Sequence, residues 1–239
     1  MLNKAKIFGV TTMLQTPKRF IHGFLGSSKD WQTLGIAKDE CIDLWSYIEN
    51  LEENAFATIC ERIDKDMPDT FELYAYSFGA RLALYYTIKN PHKVNKLTLF
   101  SVNPGIEDEA TKQARIKKDK YWAKQLEEQT ADNFLKEWNQ QEVFQYDKNI
   151  ENLPCDKRLL VQSLHKLGLG VQENLWPRLN ELTMPTYFLA GEYDKKFAAI
   201  VNRIDNHTNH ICHILPKQGH RIPFSLDLNA FKQVPWMWI

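Results

Sequence analysis

Short apolar runs of strand length alternate along this chain with longer stretches whose apolar residues recur at helical spacing. Arg19-Phe20-Ile21-His22 reads as a strand ending at Gly23, and Glu40 to Leu44 as a second. Phe56 to Lys65 carries helical spacing. Phe71 to Tyr76 predicts a third strand, followed at once by a helix from Ala80 to Asn90 that Pro91 stops. Lys96 to Ser101 reads as a fourth strand. From about Ile106 to Leu182 the pattern changes to charged, tryptophan-bearing helices without a convincing strand. Strands return at Thr186 to Ala190 and at His210 to Leu215, with a helix from about Phe197 to Ile204 between them and a last helix near Asn229. This rhythm predicts a mostly parallel sheet flanked by helices. A core of residues 1–105 and 183–239 would be interrupted by a helical insertion, 106–182, such as a lid over a site.

Composition narrows the class of partner. Thirty basic and thirty acidic side chains cancel, so nothing suggests nucleic acid or an anionic membrane surface. The opening Met1-Leu2-Asn3-Lys4 lacks a long apolar run, and no stretch approaches the roughly 18 apolar residues of a membrane span. A soluble cytoplasmic protein is expected, and oligomeric state leaves no mark on the sequence. Cys41, Cys60, Cys155 and Cys212 are scattered, which reads as buried reduced thiols. His207, His210 and His213 would roughly align on a helix, as a metal site requires. However, Ile211, Ile214 and Leu215 predict a strand there, which turns His210 and His213 to opposite faces. No metal is expected.

The decisive stretch is Ala75-Tyr76-Ser77-Phe78-Gly79, between a predicted strand and a predicted helix. Small residues two before and two after the serine let strand and helix pass closely on a sharp turn, the context of a nucleophile elbow. At the helix N-terminus, the dipole and the Phe78 N–H can stabilise negative charge. A serine hydroxyl needs a base. The α/β-hydrolase fold supplies an acid and then a histidine after its last two strands, and Asp194 and His220 follow those strands here. His220 would take the serine proton, and Asp194 would hold the imidazole tautomer. The glycine-bearing loop His22-Gly23-Phe24-Leu25-Gly26 would supply a second oxyanion donor, the Phe24 amide, beside that of Phe78. His22 itself reads as structural.

Four strings resemble one branch of this fold. They are His22-Gly23-Phe24-Leu25-Gly26-Ser27-Ser28-Lys29-Asp30-Trp31, Tyr76-Ser77-Phe78-Gly79-Ala80-Arg81, Phe134 to Phe144 with its Trp138-Asn139-Gln140-Gln141-Glu142-Val143-Phe144, and Gly191-Glu192-Tyr193-Asp194-Lys195-Lys196-Phe197. Together they are similar to 2-succinyl-6-hydroxy-2,4-cyclohexadiene-1-carboxylate synthases, menaquinone-pathway lyases that eliminate pyruvate from a cyclohexene substrate. The resemblance implies a triad of Ser77, Asp194 and His220, with the serine acting as a base on a carbon acid. It implies that the Phe24 and Phe78 amides hold an enolate-like oxygen and that Tyr76 and Trp138 line the site. It also implies that Arg81 and Arg115 bind the carboxylates of a small polycarboxylate substrate, which suits the bidentate guanidinium fork. Lys117, Lys118, Lys120 and Lys124 read instead as a solvated helix face. Serine, imidazole and amide donors suffice for this chemistry, so no cofactor is implied.

The resemblance departs in places. A later lid arginine is missing near Leu164-His165-Lys166, where Lys166 or Arg158 would have to substitute. Arg221 follows the histidine where the family has Asn, and Trp45-Ser46-Tyr47 follows Asp43-Leu44 in place of Pro-Gly-His-Gly. A carboxylic-ester or thioester hydrolase using the same triad is the alternative reading.

Overall fold

The computed structural model describes residues 16–208 and 210–225. Six strands, β1 (Lys18–Ile21), β2 (Cys41–Ile42), β3 (Phe71–Tyr76), β4 (Val94–Phe100), β5 (Thr186–Gly191) and β6 (Ile211–Leu215), form one sheet in the order β2-β1-β3-β4-β5-β6. Every neighbouring pair is parallel. A parallel sheet is covered on both faces, which is why its central strands read as near-continuous apolar runs. Successive side chains go to opposite faces. Phe20, Tyr74, Tyr76, Phe100 and Leu189 pack on one side with Trp31 and Ile222. Ile21, Leu73, Ala75, Leu99, Phe188 and Ala190 pack on the other.

The chain steps outward from β1 to β2, then crosses back to β3 on the far side of β1 and continues outward to β6. The strand order therefore reverses between β1 and β3, and the crevice at such a switch point is where open α/β sheets bind ligands. All six carboxyl ends share one rim, so the loops after β1, β3, β4, β5 and β6 meet there.

The helices are α1 (Ser28–Gln32), α2 (Ala55–Asp64), α3 (Phe78–Lys89), α4 (Glu109–Glu128), α5 (Ala131–Asn139), α6 (Lys157–Lys166), α7 (Lys195–His207) and α8 (Ile222–Ser225). Among the described residues between β4 and β5, the only regular elements are helical. Side-chain caps start them: Asp108 accepts from the Thr111 amide, Thr130 from Asn133 and Asp156 from Arg158. No described helix is long and apolar enough to cross a membrane.

Several expectations shift. The strand foreseen over Glu40 to Leu44 pairs only through Cys41 and Ile42, because Asp43 caps a tight turn by accepting from the Trp45 amide at 3.2 Å. The helix α3 begins at Phe78, directly after Ser77, rather than at Ala80. The short helix α1 was not foreseen, although Ser27 and Asp30 form a capping box at its start. Cys41 and Cys60 are buried, whereas Cys155 and Cys212 are only half-buried; all four are free thiols. The helix foreseen near Asn229 and the opening Met1-Leu2-Asn3-Lys4 lie outside the described residues.

Trp31 fixes α1 against the sheet. It is fully buried, with its ring 5.2 Å from that of Phe20, 6.0 Å from Phe100 and 5.1 Å from Phe224. Trp31→Ala is expected to lower unfolding free energy by roughly 3–5 kcal/mol. Denaturant titration checks this, and an unchanged midpoint would show that α1 contributes little to the core.

Candidate active site

Ser77 sits between β3 and α3 with φ 51° and ψ −108°. An L residue rarely occupies that region, and such a backbone persists only where its surroundings over-determine it. Here the Ser77 amide donates to Phe100 O at 2.8 Å, and its carbonyl accepts from the Arg81 amide at 3.2 Å. Gly79 is essential to the turn: a Cβ there would lie 2.2 Å from His22 O. Ala75, at the position two before the serine, is fully buried. The turn lifts the hydroxyl off the sheet. It also makes Phe78 the first residue of α3, so its N–H is among the helix donors without an intrahelical acceptor.

The loops after β5 and β6 bring the other two groups to this hydroxyl. His220 Nε2 lies 3.0 Å from Ser77 Oγ, and His220 Nδ1 lies 2.6 Å from Asp194 Oδ2. The carboxylate can only accept, so these partners imply the Nδ1–H tautomer, with the Nε2 lone pair facing the serine O–H. Asp194 is also the N-cap of α7, where its Oδ1 accepts from the Phe197 amide at 3.3 Å. One carboxylate therefore caps a helix and holds an imidazole. Asp194 and His220 are both buried. The rings of Phe197, Tyr76 and Phe144 surround the imidazole at centroid distances of 4.6, 5.5 and 5.6 Å.

His22 takes a structural place: Nδ1 lies 2.8 Å from Gly23 O, and Nε2 accepts from the Leu44 amide at 2.9 Å. The bonds tie the β1 loop to the end of β2. The next residues, Gly23 to Gly26, form a turn closed by Gly26 N donating to Gly23 O at 3.1 Å. Phe24 lies in that turn, and its ring is 5.0 Å from Trp138 and 6.3 Å from Phe78.

A cavity of about 540 Å³ opens above Ser77, lined by Phe24, Tyr76, Phe78, Trp138 and Phe144 together with charged side chains. Six of its lining residues are basic (Arg81, Arg115, Lys118, Lys195, Lys196, Arg221) and three acidic (Asp119, Glu142, Asp194). A chain of zero formal net charge thus concentrates positive charge at one site. Arg81 is buried one turn along α3, and among the described residues its guanidinium donates to the neutral Gln172 Oε1 and Leu167 O, both at 2.9 Å. Burial first, and then neighbouring Arg115, push its pKa down to about 9, which leaves it a cation at neutral pH. Arg115 donates Nε to Asp119 Oδ1 at 2.9 Å, an arrangement that orients its fork. Burial, and the positive charges of Arg115 and Lys118, hold the Lys196 ammonium below its ordinary range. Burial also raises the Tyr76 phenol well above its ordinary value.

Some expected roles change place. Lys166 and Arg158 do not line the cavity, and Arg158 is exposed, paired to Asp156 at 2.8 Å. Lys118 reaches the cavity wall, whereas Lys117, Lys120 and Lys124 remain on the exposed face of α4. Lys196 and Arg221 line the cavity without having been singled out as ligands, although both lie in or beside strings already marked for attention. Asp147 had no signal at all; it accepts from the amides of His220 and Arg221. Among the described residues no group of His, Cys, Asp or Glu could hold a metal ion. His207 ends α7 and His210 precedes β6, where its Nε2 lies 2.9 Å from Leu179 O.

No protein-family model matches this chain. It is 26% identical over 221 residues to the 2-succinyl-6-hydroxy-2,4-cyclohexadiene-1-carboxylate synthase of Enterobacter sp. (strain 638), covering 84% of this chain and 83% of that one. It is 29% identical over 221 residues to the synthase of the same name from Yersinia pestis bv. Antiqua (strain Nepal516), covering 84% and 79%. The solved structure of MenH from S. aureus superposes with a TM-score of 0.79 at 28% identity over 94% of both chains. A probable hydrolytic enzyme from Pseudomonas aeruginosa superposes at 0.67 and 16% identity over 93% of this chain and 86% of that one, which shows the fold alone.

Charge placement predicts an anion preference. Arg115→Ala is expected to weaken binding of a small dicarboxylate such as succinate by roughly ten- to a hundredfold, the range of a lost charge-assisted contact. Arg158→Ala should leave that affinity unchanged. Titration calorimetry checks both, and equal effects at the two positions would move the anion site elsewhere.

Proposed function

We propose that this α/β-hydrolase-fold chain, similar along most of its length to 2-succinyl-6-hydroxy-2,4-cyclohexadiene-1-carboxylate synthases, performs their elimination. Its substrate is 2-succinyl-5-enolpyruvyl-6-hydroxy-3-cyclohexene-1-carboxylate. It loses pyruvate to give 2-succinyl-6-hydroxy-2,4-cyclohexadiene-1-carboxylate in menaquinone biosynthesis. The observation that carries the reading is a serine hydroxyl 3.0 Å from a carboxylate-backed imidazole, opening into a cavity with six basic lining residues against three acidic.

The chemistry needs a base, a home for negative charge and an anchor for an anion. His220 draws the Ser77 proton, and Ser77 Oγ removes a proton from a ring carbon. Asp194 stabilises the imidazolium that forms. The electron pair of the broken C2–H bond forms the C2=C3 double bond, the existing C3=C4 pair shifts to C4=C5, and the bond from C5 to the enolpyruvyl oxygen breaks. That group leaves with the bonding pair, takes a proton and becomes pyruvate, so the proton count balances. Negative charge that builds on the conjugated oxygen is met by the Phe24 and Phe78 amides, which cost no reorganisation because the backbone already holds them in place. Arg81 and Arg115 bind substrate carboxylates, and Tyr76 and Trp138 pack against the ring. Residues 106–182 act as a lid that keeps water from the reacting carbon.

Arg81 supports this assignment physically. Its hydrogen-bond partners among the described residues are neutral, and the nearby Asp119 carboxylate is already bonded to Arg115, so two guanidiniums share one carboxylate in a medium of low dielectric. A bound carboxylate would supply the missing anion. The same triad could instead open an ester by acyl transfer, and activity distinguishes the two.

Release of pyruvate from the cyclohexene substrate, followed with a coupled dehydrogenase, tests the reading. Ser77→Ala is expected to lower kcat by roughly 10²–10⁴-fold, the scale of general base catalysis. KM should change little, because the contact matters in the transition state. Hydrolysis of a chromogenic ester with no pyruvate release would replace the lyase with an acyl hydrolase.

A further inference from the structure

The loop that carries His220 is gripped by the helical segment as well as by the sheet. Asp147, in the segment between β4 and β5, accepts from two successive amides: His220 N to Oδ2 and Arg221 N to Oδ1, both at 3.0 Å. Gly219 makes room for this contact, since a Cβ there would lie 2.6 Å from Asp147 Oδ1. Arg221 closes the clasp from the other side. Its guanidinium donates to Lys148 O and to Asn139 Oδ1, and lies 4.4 Å from the centre of the Phe144 ring. From the sheet side, Ser101 Oγ at the end of β4 donates to His220 O at 2.8 Å. Both backbone polar groups of His220 are therefore held by side chains, one from the sheet and one from the helical segment.

We infer that Asp147 is a positioning residue for His220, through which the helical segment sets the alignment of the imidazole with Ser77. The inference rests on the reading of Ser77, His220 and Asp194 as the catalytic triad. A carboxylate accepting two adjacent N–H groups fixes the rotation of the intervening peptide, and with it the direction of the His220 Cα–Cβ bond. The imidazole must meet Ser77 Oγ and Asp194 Oδ2 at once, so a small rotation there lengthens at least one of those bonds. Asp147 itself touches neither Ser77 nor Asp194 through any hydrogen bond among the described residues, so its influence passes through the backbone of His220. A displacement of the segment that carries Asp147 would loosen His220 in the same movement.

The test compares wild type, Asp147→Ala, Asp147→Asn and Ser77→Ala by pyruvate release and by site-resolved amide hydrogen exchange. Asp147→Ala is expected to lower kcat by roughly ten- to a hundredfold, the scale of a catalytic group displaced by about an ångström. KM should stay close to wild type. Exchange at the His220 and Arg221 amides should accelerate by roughly ten- to a hundredfold. Asp147→Asn keeps the volume and one acceptor oxygen, so both effects should be smaller. Should Asp147→Ala lose its fold, Asp147→Asn decides by the same two readouts. Wild-type kcat in the Asp147 variants beside an inactive Ser77→Ala overturns this inference alone. A rise in KM without faster exchange at His220 also overturns it. Undiminished pyruvate release in Ser77→Ala would overturn the triad reading beneath it.

Discussion

The backbone of Ser77 is the constraint on which the site depends. Its positive φ costs on the order of 1–3 kcal/mol for a residue with a side chain. The fold offsets that strain by holding both flanks: β3 is hydrogen-bonded within the sheet, and α3 runs back over β1 with Gly79 against His22 O. The strained turn then does three things together. It raises the hydroxyl above the sheet rim, starts α3 at Phe78, and places Arg81 one turn further along that helix. No single packing contact produces this arrangement. It follows from a strand and a helix forced to reverse direction over one residue.

Around that fixed point the imidazole of His220 is immobilised by ring and backbone alike. Asp194 and Ser77 hold the two ring nitrogens, while Ser101 and Asp147 hold the carbonyl and the amide. Asp194 is itself held by its second role as the cap of α7. Preorganisation of this kind removes the rotational freedom that a side chain would otherwise have to lose on the way to a reaction. Aromatic rings on three sides of the imidazole exclude water and strengthen each polar contact.

Charge is distributed to match. Basic and acidic residues balance over the whole chain, yet the cavity wall carries an excess of cations. Among the described residues Arg81 donates to neutral partners, and Arg115 donates its Nε to Asp119. In an enclosed site such charges act at a lower effective dielectric than the surface pairs, for example Arg158 with Asp156, which water screens. The excess comes from the elements of the core, Arg81 on α3, Lys195 and Lys196 on α7 and Arg221 after β6, whereas Arg115 and Lys118 of the helical segment are balanced there by Asp119 and Glu142.

The strand–helix rhythm and the turn at Ser77 were legible because each depends on residues adjacent in the chain. Apolar periodicity marks a buried face and Gly79 marks a close approach, whereas the caps at Asp108, Thr130 and Asp156, although equally local, went unread. The order of serine, acid and histidine was legible too, since parallel strands carry their following loops to one rim. Asp147 was not, because its two bonds span more than seventy residues and its neighbours in sequence carry no motif. Nor was the choice among cations: Lys118 and Arg221 face the cavity while Lys166 and Arg158 do not, although all four are equally basic in the sequence. Local sequence determined which turns and elements could form. Only the packing of the helical segment over the sheet decided which distant side chains meet, because that depends on the direction of each Cα–Cβ bond in the folded chain.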